Sequence, residues 1–177
     1  SGDQIQLIPA RAVEYTGLSV SPKSDFAYFS VFSENNAVGT LARIPLAGGQ
    51  PESIPSVPVD VSVTFSPSGE KIAFTENVSS LNETYLKTAN ADGSGQKTLL
   101  TTKGPRRDLP IFRASPAAWS PDGKVIAVAI RESDENGSYY KILLVDAENG
   151  SESDLTDVRW NDVSNIAWLS DGELILI

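Results

Sequence analysis

Four short segments of this chain repeat the same local chemistry, and the repeat leaves few folds open. Ser21-Pro22-Lys23-Ser24-Asp25-Phe26-Ala27-Tyr28-Phe29 aligns with Ser66-Pro67-Ser68-Gly69-Glu70-Lys71-Ile72-Ala73-Phe74. The third copy is Ser120-Pro121-Asp122-Gly123-Lys124-Val125-Ile126-Ala127-Val128, and the fourth is Leu169-Ser170-Asp171-Gly172-Glu173-Leu174-Ile175-Leu176-Ile177. Pro22, Pro67, Pro121 and Ser170 share one repeat position, and successive copies stand 45, 54 and 49 residues apart. An apolar residue precedes each unit (Val20, Phe65, Trp119, Trp168), a turn reverses the chain, and a strand-like apolar run follows. Proline presets φ at the first turn corner, and glycine accepts the positive φ that follows. Two copies depart: Ser24 replaces the glycine of the first, and Ser170 replaces the proline of the last.

A second hairpin follows each of the first three turns. Leu41–Leu46 runs into Ala47-Gly48-Gly49-Gln50, Tyr85–Asn90 into Ala91-Asp92-Gly93-Ser94-Gly95, and Lys141–Asp146 into Ala147-Glu148-Asn149-Gly150. Glycine and Asn-Gly corners are hairpin chemistry. Short closing strands are expected around Glu52–Ile54, Lys97–Leu100 and Glu152–Leu155. Four strands per repeat, at a period near 45 residues, are the content of a β-propeller blade. No segment shows a useful length of helical periodicity. The expected fold is therefore all-β, with about three complete four-stranded antiparallel blades and partial blades at both ends. The expected units are 1–16 (last strand of a preceding blade, at Gln4–Ile8, plus a linker), 17–60, 61–114 and 115–163 (one blade each), and 164–177 (two strands of a further blade). Trp119, Trp168, Phe65 and Val20 share a position, which predicts packing between blades.

With Trp119-Ser120-Pro121-Asp122-Gly123-Lys124 and Asn90-Ala91-Asp92-Gly93-Ser94-Gly95-Gln96-Lys97 in view, the repeat resembles the TolB-type, WD-like propeller repeat over nearly the whole chain. More narrowly, it is similar to the C-terminal sensor-like propellers of bacterial eukaryote-type serine/threonine kinases and related regulators. That resemblance implies a fold and a role in binding proteins or small ligands. It carries no shared catalytic residues, and one fold serves many functions. It also favours a periplasmic or extracytoplasmic location over a cytoplasmic one.

The absences are as informative as the repeat. The chain has no His, Cys or Met, so a Ser-His-Asp triad, a thiolate nucleophile and the common zinc sites cannot be built from it. No catalytic residue, cofactor or metal site is expected. The acidic turns Glu132–Gly137 and Asp146–Gly150 lack calcium-loop spacing and read as hairpin turns. A net charge of −9 opposes nucleic-acid binding, which runs on clustered Lys and Arg. No apolar run reaches the ~18 residues of a membrane span, so no direct membrane insertion is expected.

Candidate binding residues lie in the loops that join one blade to the next, which gather at one mouth of a propeller. The longest, Thr101–Pro116, holds Lys103, Arg106, Arg107 and Arg113, four of only 14 basic residues. Arg11 and Arg159 fall in the equivalent loops of neighbouring blades, and Trp160 sits beside Arg159. Lys103, Arg106, Arg107, Arg11, Arg159 and Trp160 are thus expected to face a protein or a small anionic ligand. The leading functional expectation is a non-catalytic binding or scaffold propeller, the sensor or interaction portion of a larger bacterial signalling protein. The alternatives are the substrate-gating propeller of a prolyl-oligopeptidase-like hydrolase and a TolB-like periplasmic assembly factor. Three blades do not close a ring, and the apolar Leu174–Ile177 strand is an open edge, so a homodimer that completes the ring is also expected.

Overall fold

A computed structural model describes residues 6–8, 13–33, 36–59, 62–104, 106–110 and 117–177. Every regular element among them is a β-strand. The first sheet contains β1 (Glu14–Val20), β2 (Phe26–Ser33), β3 (Asn36–Pro45) and β4 (Glu52–Pro58), in that order. The second contains β5 (Thr64–Phe65), β6 (Lys71–Val78), β7 (Glu83–Asn90) and β8 (Lys97–Lys103). The third is built on β10 (Ala117–Trp119), β11 (Val125–Asp134), β12 (Gly137–Asp146) and β13 (Glu152–Asp154). β14 (Ile166–Trp168) and β15 (Leu174–Leu176) form a two-stranded sheet. All pairings are antiparallel, and along each of these four runs every strand bonds to the next in sequence. The first strands β5, β10 and β14 neighbour one another across the sheets. The sheets therefore stack as successive blades with their first strands innermost.

The repeated turn is held the same way three times. The Oγ of Ser21, Ser66 and Ser120 accepts the backbone N–H five residues on, from Phe26, Lys71 and Val125, at 3.0, 3.1 and 3.1 Å. The same serine N–H donates to the carbonyl of that residue, and its carbonyl accepts the N–H of Ser24, Gly69 or Gly123. All three serines are buried, so each hydroxyl replaces a water that the closed turn excludes. Such a bond contributes about 1 kcal/mol. In the fourth copy Leu169 has no hydroxyl to offer, and the turn closes one residue sooner, from Leu169 N–H to the Glu173 carbonyl.

Period-two patterning decides which face meets which blade. Ile72 and Phe74 of β6 pack with Tyr28, Leu41, Ile54 and Val57 of the first sheet. Ala73, one residue out of phase, packs with Trp119, Ile126, Val128 and Ile130 of the third. Both faces of a middle blade are therefore apolar, and each fully buried Ile or Phe contributes roughly 1.5–3 kcal/mol. The aromatic position before each turn bridges neighbours. Phe65 meets Tyr28 edge-on with ring centroids 4.9 Å apart, Trp119 is buried in the cluster between sheets two and three, and the Trp168 indole N–H donates to the Ala118 carbonyl at 3.0 Å. The turns touch too: a Cβ placed on Gly123 would lie 3.4 Å from Pro67 Cδ of the preceding blade.

The long segment after β8 differs from a simple loop. Arg107–Asp108 forms β9, which pairs with Arg131 and Glu132 of β11, on the edge that β10 uses further along. Leu109 beside it is buried in the cluster between the second and third sheets. At the other end of the chain, most of the strand expected at Gln4–Ile8 lies outside the described residues. Gln6–Ile8 carries no strand, and Leu7 and Ile8 pack on Ala27, Phe29, Ala42 and Ile44 of the first sheet.

Candidate functional site

The strand registers separate two ends of each blade. Lys103 pairs with Glu83 at the end of the inter-blade loops, whereas Lys97 pairs with Thr88 and Lys71 with Asn90 at the opposite end, where the repeated turns lie. The binding residues read from the sequence belong to the loop end. Arg11 and Arg113 lie outside the described residues. Lys103 is exposed, its ammonium 3.2 Å from Glu83 Oε1. Arg106 is exposed, its carbonyl accepts the Ser133 N–H at 3.0 Å, and no carboxylate pairs with it among the described residues.

Arg107 and Arg159 are drawn into one network on the third blade. Arg107 pairs with Glu132 at 3.5 Å and also with Glu152. Glu132 accepts the Tyr139 hydroxyl at 3.1 Å and lies 3.9 Å from the Lys141 ammonium, which bonds Asp154 at 2.8 Å. Arg159 donates to Asp134 at 2.6 Å and stacks its guanidinium 4.0 Å from the centre of the Tyr139 ring. The Asp154 carboxylate holds the Lys141 pKa above its ordinary value, and Asp134 does the same for Arg159. Asp134 is itself held low, first by the Asn136 N–H and then by Arg159. Burial pushes the Tyr139 phenol up, with Glu132 adding to it. With Lys103 on Glu83, three of the predicted cations are thus already matched by carboxylates. Trp160 exchanges both backbone hydrogen bonds with Tyr140, at 2.8 and 3.0 Å, and packs half-buried beside Ile142 and Val163. It extends the edge of the third sheet.

At the turn end, a cleft of about 830 Å³ opens between the second and third blades. Lys71, Thr88 and Lys97 line it from one side, and Asp122, Asp146 and Glu148 from the other. Reading along the chain missed this cleft, because its walls come from turns of two different repeats. The signal available was the recurrence of charged residues beside the glycines of those turns. Among the described residues no cluster of His, Cys, Asp and Glu has metal-binding geometry. The Asp134 and Asp146 carboxylates accept backbone N–H groups of their own turns, as the hairpin reading predicts.

No family model and no curated protein sequence matches the chain. Solved structures do. A chain of a nidogen/laminin complex superposes with TM-score 0.66 at 16% identity, over 94% of this chain and 57% of that one. TolB from Acinetobacter baumannii gives 0.63 at 18%, over 93% and 37%. The β-propeller domain of the Trilobed protease from Pyrococcus furiosus, which has an open velcro topology, gives 0.58 at 14%, over 83% and 44%. The chain thus spans between about a third and three-fifths of these three structures. At these identities the likeness speaks for architecture, and together with the sheet order it establishes that the chain is a run of β-propeller blades.

Proposed function

We propose that this chain is a non-catalytic binding propeller, the sensor or interaction portion of a larger bacterial signalling protein, acting outside the cytoplasm. The observation that carries the reading is the contrast at the loop end. Arg107 and Arg159 are fixed by carboxylates, while the neighbouring Arg106 presents an exposed guanidinium with no acidic partner among the described residues. A guanidinium on a loop anchored to a rigid sheet suits an acidic peptide or a small anionic ligand. The chain has no His or Cys with which to assemble the common nucleophilic machinery.

Titration of a glutamate hexapeptide by calorimetry tests this. Arg106→Ala is expected to weaken binding severalfold and leave the melting temperature within about 1 °C, as exposed substitutions usually do. Equal binding by Arg106→Ala and the parent would overturn the assignment. A second reading, the gating propeller of a prolyl-oligopeptidase-like hydrolase, is favoured by the likeness to a protease's propeller domain. A Gly-x-Ser-x-Gly nucleophile elbow elsewhere in the same gene would decide for it, and a kinase-like segment would decide for the first.

A further inference from the structure

The cleft at the turn end is electrically polarised. Its second-blade wall carries two lysines, Lys71 and Lys97, against one carboxylate, Glu70. Thr88 stands opposite Ala73 on β6 and Lys97 on β8, and Lys71 occupies the next position of the same face of β6. That face meets the third blade, since Ala73 belongs to the cluster shared with Trp119 and Ile126. The third-blade wall is acidic, with Asp122 in its first turn and Asp146 and Glu148 in its second. Lys124 offsets Asp122 at 3.5 Å, leaving Asp146 and Glu148 as the main negative charge. Lys97 reaches across and donates to the Glu148 backbone carbonyl, which ties the walls together without neutralising the Glu148 carboxylate. Among the described residues neither the Lys71 ammonium nor the Glu148 carboxylate has an ionic partner. Thr88 is 95% buried by its 5% exposure, lines the cleft, and its hydroxyl has no hydrogen-bond partner among the described residues. A hydroxyl in the cleft wall that makes no protein hydrogen bond is free to bond a ligand's polar group.

We propose that this cleft binds a short peptide by its two charged ends, the carboxylate against Lys71 and Lys97 and the ammonium against Asp146 and Glu148. The Thr88 hydroxyl bonds the peptide backbone between them. The volume falls within the roughly 300–1,000 Å³ of small-ligand sites and admits a few residues. A ligand with one sign of charge meets repulsion from one wall, so the geometry selects for both charges on one molecule. The site lies at the opposite end of the blades from Arg106, so it stands or falls independently of the proposed mouth.

Calorimetric titration of trialanine tests it, using the free peptide, its N-acetyl form and its C-terminal amide. The free peptide is expected to bind with a Kd of about 1 mM or tighter, and each cap to weaken it about tenfold. Lys71→Gln should remove the penalty for amidation and Glu148→Gln the penalty for acetylation, with melting temperatures near that of the parent. Thr88→Val should weaken all three peptides together, and Arg106→Ala should change none of them. Equal binding of free and capped peptides, or no binding of the free one at about ten times that concentration, would overturn the proposal.

Discussion

Gly150 lies so close to Leu99 of the neighbouring blade that a Cβ on it would sit 2.4 Å from the Leu99 carbonyl oxygen. The same glycine has φ +78°, so alanine there meets a backbone atom and a strained conformation at once. Gly172 has φ +88° with nothing within 4 Å of its would-be Cβ, and alanine there meets the strain alone. Gly172→Ala is expected to cost about 1 kcal/mol. Gly150→Ala should cost at least about 2 kcal/mol more, because neither chain has a flexible side-chain end to move aside. Urea unfolding midpoints at constant slope measure both. Equal losses would mean that the blades separate easily at this contact.

Ser24 takes the glycine position of the first repeat at φ +55°. A non-glycine residue there costs roughly 1–2 kcal/mol, partly offset in a Ser24→Gly variant by the freer unfolded chain. That variant is expected to gain up to about 1 kcal/mol, read as a rise in melting temperature. A fall would show that the Ser24 side chain contributes something its backbone strain conceals.

Acid should loosen the turns before the sheets. Asp122 has its pKa lowered from 3.8, first by the Ser120 hydroxyl and then by the Lys124 N–H. Asp146 is lowered by the Asn149 and Glu148 N–H groups, and Asp25 by Ser21. A carboxylate whose folded pKa is depressed contributes stability that is present above the unfolded value and lost as pH falls through the folded one. Melting temperature should therefore be insensitive to these groups above about pH 5 and fall below about pH 4. Asp146→Asn should flatten that acid limb. An unchanged limb in Asp146→Asn, Asp122→Asn and the double variant would place the acid sensitivity elsewhere.

The repeat was legible because its chemistry is local. Ser66, Pro67 and Gly69 specify their turn within six residues, and Ser120, Pro121 and Gly123 specify the next. The aromatic positions were legible because Phe65, Trp119 and Trp168 recur at one place in the unit. β9 was not, since nothing within Arg107–Asp108 announces pairing with Arg131–Glu132, and a two-residue strand has no period to detect. The charge network escaped for the same reason. Arg159 reads as a loop cation, while the carboxylate that occupies it, Asp134, lies 25 residues earlier on another turn.

β15 pairs with β14 along one edge and with no strand of the described residues along the other. Ile175 and Ile177 are 42% and 71% exposed on this small sheet. At the far end of the arc, Leu18 and Val20 of β1 are 73% and 48% exposed. Leu7 and Ile8 partly cover the outer face of the first sheet. Two open apolar ends on one arc are the arrangement that head-to-tail association of two copies would bury, and an unpaired apolar strand invites added strands. Light scattering coupled to size exclusion is expected to give twice the 18.9 kDa chain mass at high micromolar concentration. Ile175→Lys should shift that species to the monomer without lowering the melting temperature of the diluted protein, because its side chain points away from the third blade's cluster. A monomer at all concentrations would sink the two-copy ring.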